Sequence, residues 1–137
     1  MLTLHSMCYQ PGFVTPLRGE LLECKWTHTK WKILEPLIYV THITDTPQLI
    51  YVSPGFVTDL ASVPRLPLVF LLAGRLSHEP AVIHDWCYYK QLFPRSVCDK
   101  IFLEAMGTKN VNPIMAGAMY SGVVVGGWRA YNRYGRA

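Results

Sequence analysis

Residues 80–106 read PAVIHDWCYYKQLFPRSVCDKIFLEAM, and the reading of this stretch decides how the rest of the chain is organised. Pro80 suits the first turn of a helix, where its missing N–H leaves no bond unmade, and Ser77 stands where an N-cap belongs. The helix runs to about Leu92. Pro94 ends it, and Ser96 stands where a second helix would be capped. Together the two make a helical hairpin. His84 and Tyr88, four residues apart, share a face of the first helix, with Asp85 about 100° round from them. An antiparallel return of the second helix brings Asp99 to the level of His84 and Tyr88.

These residue types in this pattern point to a chemistry. An imidazole held by a buried carboxylate acts as a general base on water, because the carboxylate fixes the tautomer and steadies the imidazolium that forms. His84 is then the base, Asp99 its orienting acid, and Tyr88 a hydrogen-bond donor to Asp99. Asp85, beside this group, is placed to hold a hard divalent cation that polarises a carbonyl or phosphoryl under attack. Each residue also has a plainer role open to it. Ser96 and Asp99 have the spacing of a capping box. His84 can be a satisfied core histidine, and Tyr88 and Tyr89 ordinary aromatics.

Upstream, residues 54–65 read PGFVTDLASVPR. Asp59 is a candidate second metal ligand, Ser62 a donor at the mouth of the site, and Arg65 a clamp for a phosphate. Against these stand an Asx- or Ser-stabilised turn, and an Arg65 that pairs with Asp59 or Asp85 to lock the loop. The PGFVT at 54–58 echoes residues 11–15, a match short enough to be coincidence. Residues 20–43 are rich in Leu, Trp, Ile, Tyr, Val and Thr with partial alternation, which favours strands. Residues 45–47 signal a turn, and 48–52 read as the returning strand. A small antiparallel sheet is therefore expected in the N-terminal half. Pro11, Gly12, Pro16 and Gly19 break regular structure before it. Residues 66–73 form an apolar run far below the roughly 20 residues that span a bilayer. The other histidines (His5, His28, His42 and His78) have no regular metal-ligand spacing.

Downstream, Gly107 suits the C′ position of the second helix, and Asn112-Pro113 reads as an N-cap followed by proline at N1. A third helix runs from there to about Tyr131. Ala118, Gly122 and Gly126 recur along it every fourth residue, a small-residue stripe that lets another backbone come close. The expectation is a soluble helix packed tightly by this stripe on the hairpin, with a membrane-leaning helix as the alternative. The end of the chain interleaves Trp128, Arg129, Tyr131, Arg133, Tyr134 and Arg136, a surface for phosphates, another subunit or plain solvent.

At 137 residues the chain is long enough for one core but not two. A single α+β domain is expected, with a β-rich part over residues 1–65 and a three-helix part over 66–137. Half of the residues are hydrophobic and 16% are charged, which excludes a disordered chain. The formal charge of +4 favours an anionic partner without choosing one, and nucleic acid is not the expected partner. No charged segment followed by an apolar one opens the chain, so no signal peptide is expected, and the four cysteines are read as reduced.

The arrangement HDWCY at 84–88 and CDKIF at 98–102 resembles the catalytic helices of the phospholipase A2 superfamily. That resemblance implies an ester or phosphoester hydrolase acting on phospholipid or another anionic substrate. It gives the base to His84, the calcium carboxylate to Asp85, the tyrosine to Tyr88 and the orienting aspartate to Asp99. It also implies a disulfide between Cys87 and Cys98. The connection between the helices is shorter here, and residues 55–65 stand where a glycine-rich calcium loop would be. Across most of its length the chain also resembles a family of small phage and prophage proteins of unassigned function (domain of unknown function 1353). The segments that carry this are PGFVTDLASVPR, AVIHDWCY and CDKIFLEAM. It implies a phage or prophage origin, and a place in the host cytoplasm or the virion. It also supports a second reading, a non-catalytic virion or assembly protein that meets other phage proteins through the C-terminal helix and residues 128–136.

Overall fold

A computed structural model describes residues 10–24, 29–58 and 78–135. The first two segments form strands β1 (Gly12–Phe13), β2 (Gly19–Cys24), β3 (Thr29–Ile33), β4 (Leu37–Thr41), β5 (Gln48–Val52) and β6 (Val57–Thr58). The third forms helices α1 (His78–Lys90), α2 (Arg95–Thr108), α3 (Pro113–Gly126) and α4 (Trp128–Gly135). This is the expected α+β order, strands first and helices after. The expected single sheet is instead two antiparallel three-stranded sheets, ordered β1-β4-β5 and β2-β3-β6. The division falls at Pro36, between β3 and β4, where a residue without an N–H cannot continue a ladder. The Gly12–Phe13 segment, expected to be irregular, adds a short edge strand to β4.

Strand β5 shows the period of two of a half-buried sheet: Ile50 and Val52 are buried, while Leu49 and Tyr51 are exposed. Their partners across the ladder, Tyr39 and Leu37 of β4, are buried too, so this hairpin turns one continuous apolar face to the helices. What packs on that core is α1, in which every residue from 80 to 88 is buried. A helix enclosed on all sides needs no amphipathic stripe, and α1 has none. Its neighbours are α2, α4, β5 and β6.

Both hairpin helices end in the same way. Gln91 (φ 53°) and Asn110 (φ 58°) adopt the left-handed conformation just past α1 and α2. Leu92 N–H bonds to Cys87 O at 3.2 Å and Val111 N–H to Met106 O at 3.1 Å, closing a Schellman turn at each end. Asn110, not Gly107, is therefore the terminating residue of α2, and Gly107 lies within the helix. Ser96 does not cap α2: the flanking residue is Pro94, whose carbonyl accepts from Val97 and Cys98 N–H. Asn112 caps α3 as expected, its side chain accepting from Ile114 N–H at 2.9 Å.

The expected third helix is interrupted at Gly127, which keeps right-handed geometry (φ −70°, ψ −16°) and so joins α3 to α4 without reversing the chain. The small-residue stripe does not pack on the hairpin. Ala116, Met119 and Val123 do so, while Ala118 and Gly126 are exposed. Met119 and Val123 fill most of the space at the contact, which leaves Ala118 and Gly126 of the stripe outward.

A carboxylate fastens α2 to β4. Glu104 accepts from Tyr39 Oη and Thr41 Oγ1, both at 2.8 Å, and from the His42 N–H at 3.1 Å. Replacing Glu104 with alanine strands the buried Tyr39 and Thr41 hydroxyls without an acceptor. Urea denaturation of Glu104→Ala is expected to show a loss of about 2–3 kcal/mol, larger than one ordinary hydrogen bond accounts for.

Candidate active site

The α1–α2 hairpin carries out the antiparallel return expected of it. His84 Nε2 lies 2.8 Å from Asp99 Oδ1, and Tyr88 Oη donates to the same oxygen at 2.5 Å. Asp99 is therefore not a capping-box acid. Its carboxylate points across the hairpin and not along its own helix. His84, Tyr88 and Asp99 are all buried, with His84 0% exposed and Asp99 1%. The imidazole sits between the Tyr88 and Phe102 rings, at centroid distances of 4.2 and 5.0 Å.

One member of the group was not singled out from the sequence. Arg95 Nη1 lies 3.7 Å from Asp99 Oδ2, an i,i+4 pair on α2. The same nitrogen donates to the carbonyls of Val124 (3.0 Å) and Val123 (3.4 Å), near the end of α3, where a cation suits the helix dipole. The i,i+4 spacing of opposite charges was the signal available for it. Its side chain is one-third exposed, which links the buried carboxylate to the surface.

Tyr88 is held from the other side by the α3–α4 junction. Gly127 leaves room for its hydroxyl: an added Cβ would lie 2.5 Å from Tyr88 Oη and 2.5 Å from the Val123 carbonyl. The Tyr131 ring meets Tyr88 edge-on at 5.1 Å, and Tyr131 Oη donates to Phe93 O at 3.1 Å. Gln91 Nε2 bridges the Tyr88 and Tyr131 carbonyls at 2.9 and 3.0 Å. Burial pushes the Tyr88 phenol well above its ordinary value of 10.0. The hydrogen bond to Asp99 and the charge of Asp99 add to the rise, and Arg95 partly offsets it.

Asp85 is buried beside this group and accepts a short hydrogen bond from Thr58 Oγ1 at the end of β6. This ties the second sheet to α1. Asp59, Ser62 and Arg65 lie outside the described residues. Among the described residues no three His, Cys, Asp or Glu side chains converge as a metal would need. Cys87 and Cys98 are both buried, unbridged thiols, so the disulfide implied by the phospholipase resemblance is not formed. Cys98 Sγ donates to Phe93 O at 3.4 Å. The hydrogen bond with Cys98, followed by burial, pushes the Cys87 thiol well above its ordinary range.

The family model for proteins of unknown function designated DUF1353 matches residues 31–123. The chain belongs to this family. The matched span contains the whole His84–Tyr88–Arg95–Asp99 group and Thr58, and stops short of α4. No curated protein and no solved structure matches the chain. Among the described residues no helix is long and apolar enough to cross a membrane.

Two outcomes follow from this geometry. Gly127→Ala forces the Tyr88 hydroxyl or the α3 backbone to move, and thermal or urea unfolding is expected to show a loss of about 1–3 kcal/mol. The raised phenols give a pH dependence of definite sign. Below about pH 10 Tyr88 is protonated in both folded and unfolded chains, so its contribution is fully present. Above that the unfolded chain ionises first, and stability is lost as the pH climbs toward the folded value. Tyr39, raised by burial and then by Glu104, adds to the slope. Melting temperatures are expected to fall from about pH 10 upward, and less steeply in Tyr88→Phe.

Proposed function

We propose that this chain is a hydrolase that cleaves an ester or phosphoester with His84 as its general base. The observation that carries the reading is the 2.8 Å contact between His84 Nε2 and Asp99 Oδ1 across the hairpin. A carboxylate accepts, so Nε2 carries the proton and Nδ1 is the basic nitrogen of the neutral ring. Nδ1 takes a proton from water as the water oxygen attacks the carbonyl carbon or phosphorus. Asp99 steadies the resulting imidazolium, and the proton then passes to the leaving alkoxide, which restores the ring. Tyr88 and Arg95 act through Asp99 as positioning residues. His84 is wholly enclosed, so turnover needs a form in which the ring is uncovered. Phospholipid is the substrate that the resemblance of HDWCY and CDKIF suggests, with Ser62 and Arg65 as its contacts. Asp85 with Asp59 would be the place for a divalent cation, calcium by the same resemblance, polarising the bond under attack.

A second reading is favoured by the burial itself. With His84 0% and Asp99 1% exposed, the same network serves as an internal lock, and the chain is a non-catalytic component of a phage particle or of its assembly. The two readings part on one set of variants. Purified wild type would be assayed on nitrophenyl esters, nitrophenyl phosphodiesters and phospholipid vesicles. Under the hydrolase reading His84→Ala and Asp99→Asn lose about 10²–10⁴-fold in rate while circular dichroism stays native. A folded His84→Ala with undiminished turnover sinks that reading. An internal lock instead predicts no turnover by wild type, and a fold that His84→Ala weakens by about 3–5 kcal/mol because Asp99 is left without its ring partner.

A further inference from the structure

The outward face of α3 and α4 is apolar and bounded by cations. Ile114 is 76% exposed and Val125 77%, with Val124 and Trp128 also exposed. Ala118 and Ser121 lie between them at helical spacing, so residues 114, 118, 121, 125 and 128 form one row along the surface. Because Gly127 keeps helical geometry, the row runs on into α4, where Arg129 and Arg133 are exposed. Trp128, Arg129, Asn132 and Arg133 line a cleft of about 310 Å³, with the Arg129 guanidinium 5.3 Å from the Trp128 ring.

Charge is distributed with the same asymmetry. Residues 1–108 hold nine bases and nine acids, while residues 109–137 hold four bases and no acid, so the whole formal charge of +4 falls in the last part of the chain. Lys109 is paired with Glu79 at 3.1 Å, while Arg129 and Arg133 of α4 are exposed at the surface. A second copy of the chain would set these arginines against their own kind with no acid in the segment to meet them. A nucleic acid would satisfy the arginines but leave Ile114, Val124 and Val125 against a polar backbone. An anionic lipid surface takes both, receiving the apolar row at the acyl boundary and the arginines among its phosphates.

We propose that the α3–α4 face is a membrane-surface binding site for anionic lipid, on which the two helices lie in the plane of the interface. This does not rest on the hydrolase reading, since His84 takes no part in it. The test is flotation of the full chain with vesicles of phosphatidylcholine alone, and of phosphatidylcholine mixed with phosphatidylglycerol. Wild type is expected to float with the mixture and not with phosphatidylcholine alone, and to be released as salt is raised. Val125→Asp and Arg129→Glu are each expected to lower the partition coefficient about tenfold or more. Their melting temperatures should stay at the wild-type value, because these side chains are exposed. His84→Ala is expected to float like wild type. No flotation at low salt, or equal flotation with both vesicle types, overturns the proposal. So does a dimer seen by light scattering that Val125→Asp dissolves without any effect on flotation, which would make the face a contact between copies.

Discussion

A single carboxylate holds the helical half of this protein together. Asp99 is buried in a core of Ile, Phe, Met and Cys side chains, where an unpaired charge would be costly. It is met by a ring nitrogen from α1, a phenol from the next turn of α1, and a guanidinium one turn before it on its own helix. Each partner is tied elsewhere. Arg95 reaches the end of α3, Tyr88 sits under Gly127, and α1 is joined through Asp85 to Thr58 of the second sheet. The packing of four elements therefore meets at one charged group. Removal of one partner of such a buried group typically costs about 3–5 kcal/mol.

The hairpin makes this convergence available at low cost in chain. Only residues 91–94 join α1 to α2, and two features make so short a connection work. Gln91 takes the left-handed conformation that ends α1, and Pro94 starts α2 with its carbonyl already accepting from Val97 and Cys98. Gln91 is an unusual choice there, since the left-handed region disfavours a residue with a Cβ. Its side chain offsets this with bonds to the Tyr88 and Tyr131 carbonyls. The residue that turns the chain also ties α4 down over Tyr88.

What could be read from the sequence follows from how local each signal is. The hairpin was legible because its parts are local: a proline at each helix start, a four-residue spacing from His84 to Tyr88, and an acid at a matching height on the return. The α+β order was legible for the same reason, since the alternating strand-like runs lie before residue 58 and the helix-start and helix-stop signals after 76. The split into two sheets was not, because it depends on which strands pair, and β6 joins β3 across 24 or more residues. The outward turn of the Ala118–Gly126 stripe was also hidden. Sequence marks a face as small, but only the neighbouring volume decides whether Met119 and Val123 or the glycines fill it. Thr58 had no local signal at all, being one hydroxyl whose partner lies 27 residues on.

The polar group and the cationic face are less separate than their positions suggest. Arg95 touches Asp99 with one side of its guanidinium and the α3 carbonyls with another, and Tyr131 of α4 spans from Tyr88 to the Phe93 carbonyl. A tilt of α4 relative to α3, pivoting at Gly127, would change the space above the Tyr88 hydroxyl before it disturbed anything in the sheets. Because His84 is enclosed, something must move before its ring meets water. Helix α4 meets Tyr88 through the Tyr131 ring and bears the exposed arginines. A surface that pulled on those arginines would act on the Gly127 junction, which lies directly against the Tyr88 hydroxyl that Asp99 accepts from.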